Sequence, residues 1–262
     1  MILVLRMENN KYINRSRWAQ LFIIAVVIIA FNSCRKNSPL LDCFTATGSD
    51  ITQVRQSGRF DKIRVYNNVN LVLSQSEENT VEIRCGDKII DNVRTSIDET
   101  GWLTIENTNR CNWVRSFERE IIAYVGVKNL HEIEYRSSGD ISSENTITSD
   151  SLMLNVWEGA GQVNIDIDVH KNFIYFHIGT ADVYYTGNVH LSYISATSFG
   201  PVDVRNLTST YTYINSDGSN NCYVGPCSFL NATINSIGNI YYIGDPEINL
   251  DDRGDGELIK LY

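Results

Sequence analysis

The sequence predicts an all-β fold in which one chain winds into a stacked β-solenoid. A short motif, a small residue followed by a polar and then an aliphatic one, recurs through residues 136–244. Its copies are Gly139-Asp140-Ile141, Gly161-Gln162-Val163, Ala181-Asp182-Val183, Val202-Asp203-Val204, Asn221-Cys222-Tyr223-Val224 and Gly238-Asn239-Ile240. Successive copies lie 18–22 residues apart, and a repeat of about 20 residues is typical of solenoids, whose units bury their apolar faces only by stacking. Strand-like alternation continues elsewhere, and no segment after the N-terminal leader has a helical period.

The first 33 residues have the organisation of a secretory signal peptide. Three basic residues, Lys11, Arg15 and Arg17, precede an apolar run at residues 18–31. The run has 14 residues, fewer than the roughly 20 that cross a bilayer as a helix. Residues 1–33 are therefore predicted to direct export.

Cys34 directly follows the small residue Ser33 at the end of this leader. The arrangement resembles the lipobox of bacterial lipoproteins, and the resemblance implies that Cys34 carries a lipid and begins the mature chain. We therefore expect an exported protein that is anchored by lipid in the cell envelope, in the outer membrane. An uncleaved membrane anchor is the alternative, and translation can start at Met1 or Met7.

The charge of the chain restricts its partners. The formal net charge is −9, whereas nucleic-acid binding requires clustered Lys and Arg to neutralise phosphates. We therefore expect no nucleic-acid partner. Beyond the membrane that holds its anchor, the expected partner is a glycan or a surface protein.

Five cysteines follow the candidate lipidation site: Cys43, Cys85, Cys111, Cys222 and Cys227. Disulfides form in exported proteins, but an odd count leaves one thiol unpaired. Cys222 and Cys227 can close a small loop, and Cys85 can meet Cys111. The alternative is that these side chains are small buried hydrophobic groups. Their spacing matches no zinc motif, so we expect no metal site.

Taken in order, the elements divide the mature chain into a tether and one domain. Residues 34–57 are polar and predict a tether, whose segment 47–51 can join the first coil. Residues 58–262 are predicted to form the solenoid, and their early alternation places strands at 60–65, 69–73, 81–85, 93–97, 102–105, 121–127 and 130–135. Counting from Phe60 to Ile248 gives roughly nine coils. The tail, 251–262, is predicted to be a last strand that covers the open end.

Alternation within the repeat strands predicts the core. The expected inward residues are Ile141, Ile147, Leu152, Leu154, Val156, Val163, Ile165 and Ile167. Two registers remain open for the next strand. Either Phe173, Tyr175 and His177 point inward, or Ile174 and Phe176 do.

Four segments carry a resemblance to a known family. They are FDKIRV at 60–65, VNLVLSQ at 69–75, GWLTI at 101–105 and IGNIYYIGDP at 237–246. They resemble the bacterial head GIN domain, also called an auto-transporter adhesin domain, whose function is unknown. The resemblance implies a right-handed parallel β-helix-like fold on a secreted or lipid-anchored protein. The adhesin label is an analogy between folds and does not assign an activity.

An enzyme that hydrolyses or cleaves polysaccharides is the alternative function. Asp182 and Asp203 are expected at equivalent corners of successive coils, with Asp140 two coils away, and glycoside hydrolysis uses paired carboxylates. However, an Asp at a repeat corner more often bonds to its own backbone. We therefore predict a protein that is not an enzyme and needs no cofactor.

Calcium is a further candidate ligand, through the acidic segment 251–257. Its carboxylates lack the alternate spacing of an EF-hand loop. The segment is therefore interpreted as a solvated turn without metal.

Tyrosines on successive coils provide a candidate binding strip: Tyr184, Tyr185, Tyr211, Tyr213, Tyr223, Tyr241 and Tyr242. Neighbouring residues of a strand point to opposite faces, so one ring of each Tyr-Tyr pair should be outside. Stacked rings can bind sugars or a partner protein, or can only shield the backbone by packing on the next coil. The sequence thus predicts a non-catalytic cell-envelope module for binding, adhesion or structural support.

Overall fold

The computed structural model describes residues 47–55, 58–109, 120–197 and 199–262, which belong to one compact unit of β-strands. The strands are β1 (Asp50–Arg55), β2 (Lys62–Asn67), β3 (Asn70–Gln75), β4 (Thr80–Gly86), β5 (Val93–Ile97), β6 (Trp102–Asn107), β7 (Ile122–Val127), β8 (Glu132–Ser137), β9 (Ile141–Ser143), β10 (Ile147–Gly159), β11 (Gln162–Gly179), β12 (Asp182–Ala196), β13 (Val202–Ser216), β14 (Cys222–Val224), β15 (Cys227–Ile234), β16 (Ile240–Tyr242), β17 (Glu247–Asp252) and β18 (Leu258–Lys260). Within these ranges the one helical element is a 3-10 turn at Ile90–Asn92. The predicted all-β solenoid in a single domain is confirmed.

Two long parallel ladders form the main sides of the solenoid. Ladder A stacks β6, β2, β8, the second halves of β10 to β13, then β15 and β17. Ladder B stacks β7, β3, β9, the first halves of β11 to β13, then β14, β16 and β18. A shorter third side joins residues 147–149, 167–169, 187–189 and 207–209. The coils built from β10 to β13 therefore present three outer faces.

The solenoid has about six turns, so the predicted count of nine coils is wrong. That count assumed that the chain winds continuously from Phe60. Instead, β2 lies between β6 and β8, and β3 lies between β7 and β9, so the stacking order departs from the chain order. Antiparallel strands continue the sheet at this end, with β5 on β6, β4 on β7 and β1 on β4. The described part of the predicted tether, 47–55, thus contributes a strand to this end.

The register of the corner motif differs from the prediction at its fourth copy. Val183 pairs with Val202 and Val202 pairs with Cys222, so the true copy is Gly200-Pro201-Val202. Glycine is required there because a Cβ on Gly200 would lie 2.0 Å from the carbonyl oxygen of Ala181. The small residue therefore lets one corner stack directly on the carbonyl of the previous one.

The core fills the inside of the coils as the alternation predicts. All eight inward residues expected in the first repeat strands are buried. In β11 the register with Ile174 and Phe176 inward is adopted, and their neighbours Phe173, Tyr175 and His177 point outward. This register buries Ile174 and Phe176 and leaves the rings of Phe173, Tyr175 and His177 on the outer surface.

The hydroxyl of a buried tyrosine joins two successive corners. The hydroxyl of Tyr135 donates a hydrogen bond to the carbonyl oxygen of Gly139 at 2.6 Å and accepts one from the amide of Gly161 at 2.9 Å. Burial is the main reason that the pKa of Tyr135 rises to about 12. The hydroxyl therefore keeps its proton, and remains a donor, at any physiological pH.

The C-terminal strands form the last turn and do not cover its end. β17 pairs with β15, and β18 pairs with β16. Ile248 and Leu250 occupy inward positions of β17, yet 39% and 43% of their surface is exposed. The acidic side chains along this edge discourage further strand pairing, as charged edge strands do in other proteins.

Candidate functional site

The outer face of ladder A carries ten uncharged side chains in two columns across five coils. One column is Met153, Phe173, Tyr193, Tyr213 and Asn231, and the other is Asn155, Tyr175, Ser195, Asn215 and Thr233. All ten are partly exposed, because they alternate with inward residues of the same strands. We name this surface the neutral lane, since it lacks charge in a protein whose net charge is −9.

Aromatic rings in and beside the neutral lane contact one another from coil to coil. The Tyr175 and Tyr193 ring centroids are 5.7 Å apart, and those of Phe173 and Tyr193 are 6.5 Å apart. Beside the lane, Phe229 lies 6.1 Å from Tyr213 and 6.3 Å from Tyr211. Rings at these separations and tilts pack favourably, so the aromatic side chains form one group on β11 and β12 and a second on β13 and β15.

Charged residues bound the neutral lane at both ends. Glu132 and Glu134 pair with Met153 and Asn155 at one end, and Asp251 pairs with Thr233 at the other. Burial is the main cause that raises the pKa of Glu132. Glu134 is within 2.7 Å of the Arg136 guanidinium and stays paired with it. The uncharged surface is therefore limited to five coils.

A stacked group borders the lane on one side. The rings of Trp157 and His177 are parallel with centroids 3.7 Å apart, and the Arg136 guanidinium lies 5.1 Å from the Trp157 ring. Burial first, and then the charge of Arg136, lowers the pKa of His177. A neutral His177 suits this stack because a second positive charge would face Arg136 across the indole ring.

The predicted tyrosine strip is divided among several surfaces. Tyr211 and Tyr213 lie on ladder A, whereas Tyr184, Tyr223 and Tyr241 lie on the outer face of ladder B. On ladder B, the rings of Tyr223 and Tyr241 stack with centroids 4.9 Å apart.

The other two members of the strip point inward. Tyr185 is 1% exposed, and Tyr242 packs against the core. The structure therefore does not bring the seven rings together on one surface.

The predicted strip lacks four aromatic residues of this face: Phe173, Tyr175, Tyr193 and Phe229. The open register of β11 was the available signal for two of them. Had Ile174 and Phe176 been placed inside, Phe173 and Tyr175 would have been outside, beside Tyr193 of the next coil. Coil-to-coil register, which the sequence does not state, was needed to align them.

The candidate catalytic carboxylates do not occupy equivalent corners. Asp203 pairs with Tyr184, two positions beyond Asp182, so that expectation is wrong. Asp203 also accepts a hydrogen bond from the Arg205 guanidinium at 2.9 Å. Asp140 accepts one from the backbone amide of Gln162 at 2.8 Å. Asp140 therefore bonds to the backbone of a neighbouring corner, whereas Asp203 forms an ion pair with Arg205.

Thiols and metal ligands are sparse in the described part of the chain. Cys85, Cys222 and Cys227 are free there, and burial raises the pKa of Cys222 to about 12. Cys34, Cys43 and Cys111 lie outside the described residues, as does the predicted leader. No group of three or more His, Cys, Asp or Glu in the described ranges is arranged to hold a metal. No helix within them is long and apolar enough to cross a membrane.

Comparisons with known proteins agree on the fold. The family described as "Putative auto-transporter adhesin, head GIN domain" matches residues 59–246. A "putative adhesin" from Bacteroides fragilis has a similar structure, with a TM-score of 0.70 and 19% identity over 81% of this chain and 97% of that chain. No match was found among curated proteins.

Two further solved structures from the genus Parabacteroides are similar. A "putative lipid binding protein" from Parabacteroides distasonis gives a TM-score of 0.63 and 17% identity over 83% of this chain and 98% of that one. A "putative adhesin" from Parabacteroides merdae gives 0.58 and 17% over the same shares. Similarity at these identities shows the fold alone.

Proposed function

Because the chain belongs to the head GIN domain family, we propose that it is a non-catalytic, adhesin-like binding module of the cell envelope. A lipid on Cys34 holds it at the membrane, and the outer face of ladder A is its binding surface. The observation that carries the proposal is the neutral lane, an uncharged, ring-rich surface on an otherwise acidic protein. Exposed apolar surface that is contiguous and rimmed by polar groups marks interaction sites.

The names of the structural relatives support an envelope role. Two of them are named as adhesins and one as a lipid-binding protein. The predicted leader and Cys34 agree with export. Binding without catalysis is also favoured because Asp140 is bonded to the backbone amide of Gln162 and Asp203 to the guanidinium of Arg205.

Adhesion of protein-coated beads tests the binding surface. The full-length protein is extracted from the envelope in detergent, coupled to beads, and offered to films of neutral polysaccharide, acidic polysaccharide or collagen. We expect wild-type beads to adhere to at least one film, and Tyr193→Thr with Tyr213→Thr to abolish this. Threonine removes the ring and keeps a strand-forming side chain.

A matched pair on ladder B provides the control. Tyr223→Thr with Tyr241→Thr removes two outward rings from the other face, and beads with these changes should adhere as wild type does. Adhesion to no film, or equal adhesion by all three proteins, would overturn the proposal. If the protein cleaves a polysaccharide and this activity is lost in Asp182→Asn or Asp203→Asn, the enzyme alternative replaces the proposal.

Labelling with radioactive palmitate tests the anchor separately. Wild type should incorporate the label and Cys34→Ala should not, because the thiol that carries the lipid is absent. No label in wild type, or equal label in the variant, would remove the lipid anchor from the proposal.

A further inference from the structure

We propose that the neutral lane binds a linear, neutral glycan lying along the solenoid axis. This inference rests on the proposed function, because it names the ligand class for the same surface. Three properties of the lane carry it: its charge, the free polar groups beside its rings, and its length.

Charge favours a neutral ligand over an acidic one. No residue of the lane is charged, while Glu132 and Glu134 lie at one end and Asp251 at the other. An acidic glycan that extended past the lane would place carboxylates beside these carboxylates, and like charges repel. A neutral sugar can instead donate its hydroxyl protons to them.

The polar groups of the lane match the mixed chemistry of a sugar. The side chains of Ser195, Asn231 and Thr233, and the hydroxyls of Tyr175 and Tyr193, have no hydrogen-bond partner in the described structure. They supply donors and acceptors next to apolar ring surface. A pyranose has the complementary arrangement, with hydroxyls around its edge and C–H groups on its faces.

The same features disfavour a protein partner. Protein interfaces have a polar, solvent-accessible rim and draw their strongest contacts from buried Trp, Tyr and Arg that enter pockets. The lane is an outer sheet face, and its ten residues line none of the cavities centred on residues 58–61, 168–170 and 138–140. Its free groups lie on three of the five coils, in β11, β12 and β15, so a ligand must extend along the solenoid axis to reach all of them.

The length of the lane gives the size of the ligand. Strands stack about 4.8 Å apart, so five coils span roughly 19 Å. Each step is close to the length of one pyranose unit. About four sugar units should therefore lie over the lane, and longer chains should gain little further affinity.

Calorimetry with defined oligosaccharides tests the inference. The detergent-extracted full-length protein is titrated with neutral hexamers of β-1,4-linked glucose, mannose and xylose, and with a galacturonate hexamer. We expect at least one neutral hexamer to bind and the acidic one to bind at least about tenfold more weakly. For the sugar that binds, affinity should rise from the dimer to the tetramer and then level off.

Variants locate the site. Tyr193→Thr with Tyr213→Thr should weaken binding by about tenfold or more, since two stacking rings are lost. Ser195→Glu keeps every ring and adds a charged side chain to the middle of the lane, so it should also weaken binding. Tyr223→Thr with Tyr241→Thr should bind within about twofold of wild type. Urea unfolding midpoints show that each variant remains folded.

Several outcomes would overturn the inference. They are the failure of every neutral hexamer to bind, equal affinity for the galacturonate hexamer, and loss of binding in the ladder B variant alone. If no glycan binds while ladder A still supports adhesion of beads to collagen, the glycan inference fails and the proposed function stands. If both assays are negative, both fail.

Discussion

Two buried tyrosine hydroxyls offer a direct test of how the coils are held together. Tyr135 and Tyr185 are both almost fully buried, at 0% and 1% exposure. The Tyr135 hydroxyl makes two hydrogen bonds to corner backbone groups, whereas the Tyr185 hydroxyl has no partner in the described structure. The same change, Tyr→Phe, should therefore have opposite consequences at the two positions.

The magnitude follows from the groups that each hydroxyl leaves behind. Tyr135→Phe leaves the Gly139 carbonyl and the Gly161 amide without this partner inside the protein. Each unsatisfied buried group costs about 1–3 kcal/mol, so we expect the free energy of unfolding to fall by about 2–6 kcal/mol. Tyr185→Phe removes a buried polar atom that gains nothing, so it should leave stability unchanged or raise it by about 1 kcal/mol.

Urea unfolding followed by circular dichroism measures both changes, with equal m-values as the condition for comparison. Since solenoids can unfold in parts, amide hydrogen exchange adds a local measurement. Exchange at Gly161 should accelerate in Tyr135→Phe and stay at the wild-type rate in Tyr185→Phe. Equal losses of stability in the two variants would refute the reasoning, because they would show that the hydrogen bonds do not matter.

Three further predictions follow from the titration, thiol and edge chemistry. The pKa of His177 is lowered in the folded protein, so its neutral imidazole favours the fold. This contribution to stability is present above the unfolded-state pKa near 6.5 and is lost as the pH falls through the folded-state pKa. Acidification from pH 7.5 to 5 should thus lower the urea midpoint of wild type more than that of His177→Gln. Cys222, whose pKa is raised to about 12, should react with iodoacetamide at pH 8 only after unfolding, as mass spectrometry will show. Glu247→Gln with Asp251→Asn should increase self-association in light scattering, because it removes two negative charges that keep another strand from pairing with the edge of β17.

Each of these three predictions has an outcome that would contradict it. Equal acid sensitivity of wild type and His177→Gln would show that stacking on Trp157 does not disfavour the charged imidazole. Rapid labelling of Cys222 in the native protein would contradict its burial in β14. An edge variant that scatters light as wild type does would mean that acidic side chains are not what keeps β17 from pairing.

The repeat and most of the core were predictable from the sequence, since both depend on local pattern. Val163, Ile165 and Ile167 alternate with polar residues, so only one assignment of faces buries them. Residues 173–177 are different because Phe173 and Tyr175 are as apolar as Ile174 and Phe176. Periodicity alone leaves two registers there, and packing of the whole coil selects one.

The site was less predictable than the fold because it depends on which coils become neighbours. Asp203 looked equivalent to Asp182 in sequence, yet it pairs with Tyr184 because Gly200 and Pro201 form the corner. A shift of two positions moves a side chain to a different column of the same face. The neutral lane is made of such columns, so it could not be assembled without the register.

By itself, the sequence determined that this chain is a β-solenoid, because a recurring motif and two-residue alternation are properties of the chain read in order. The tertiary structure decided that β2 lies between β6 and β8, which register β11 adopts, and which rings share a face. These features depend on hydrogen bonds between coils that lie far apart in sequence. Hydrogen bonds between coils decide which side chains share an outer face of the solenoid, whereas the length of the repeat is a property of the sequence within each coil.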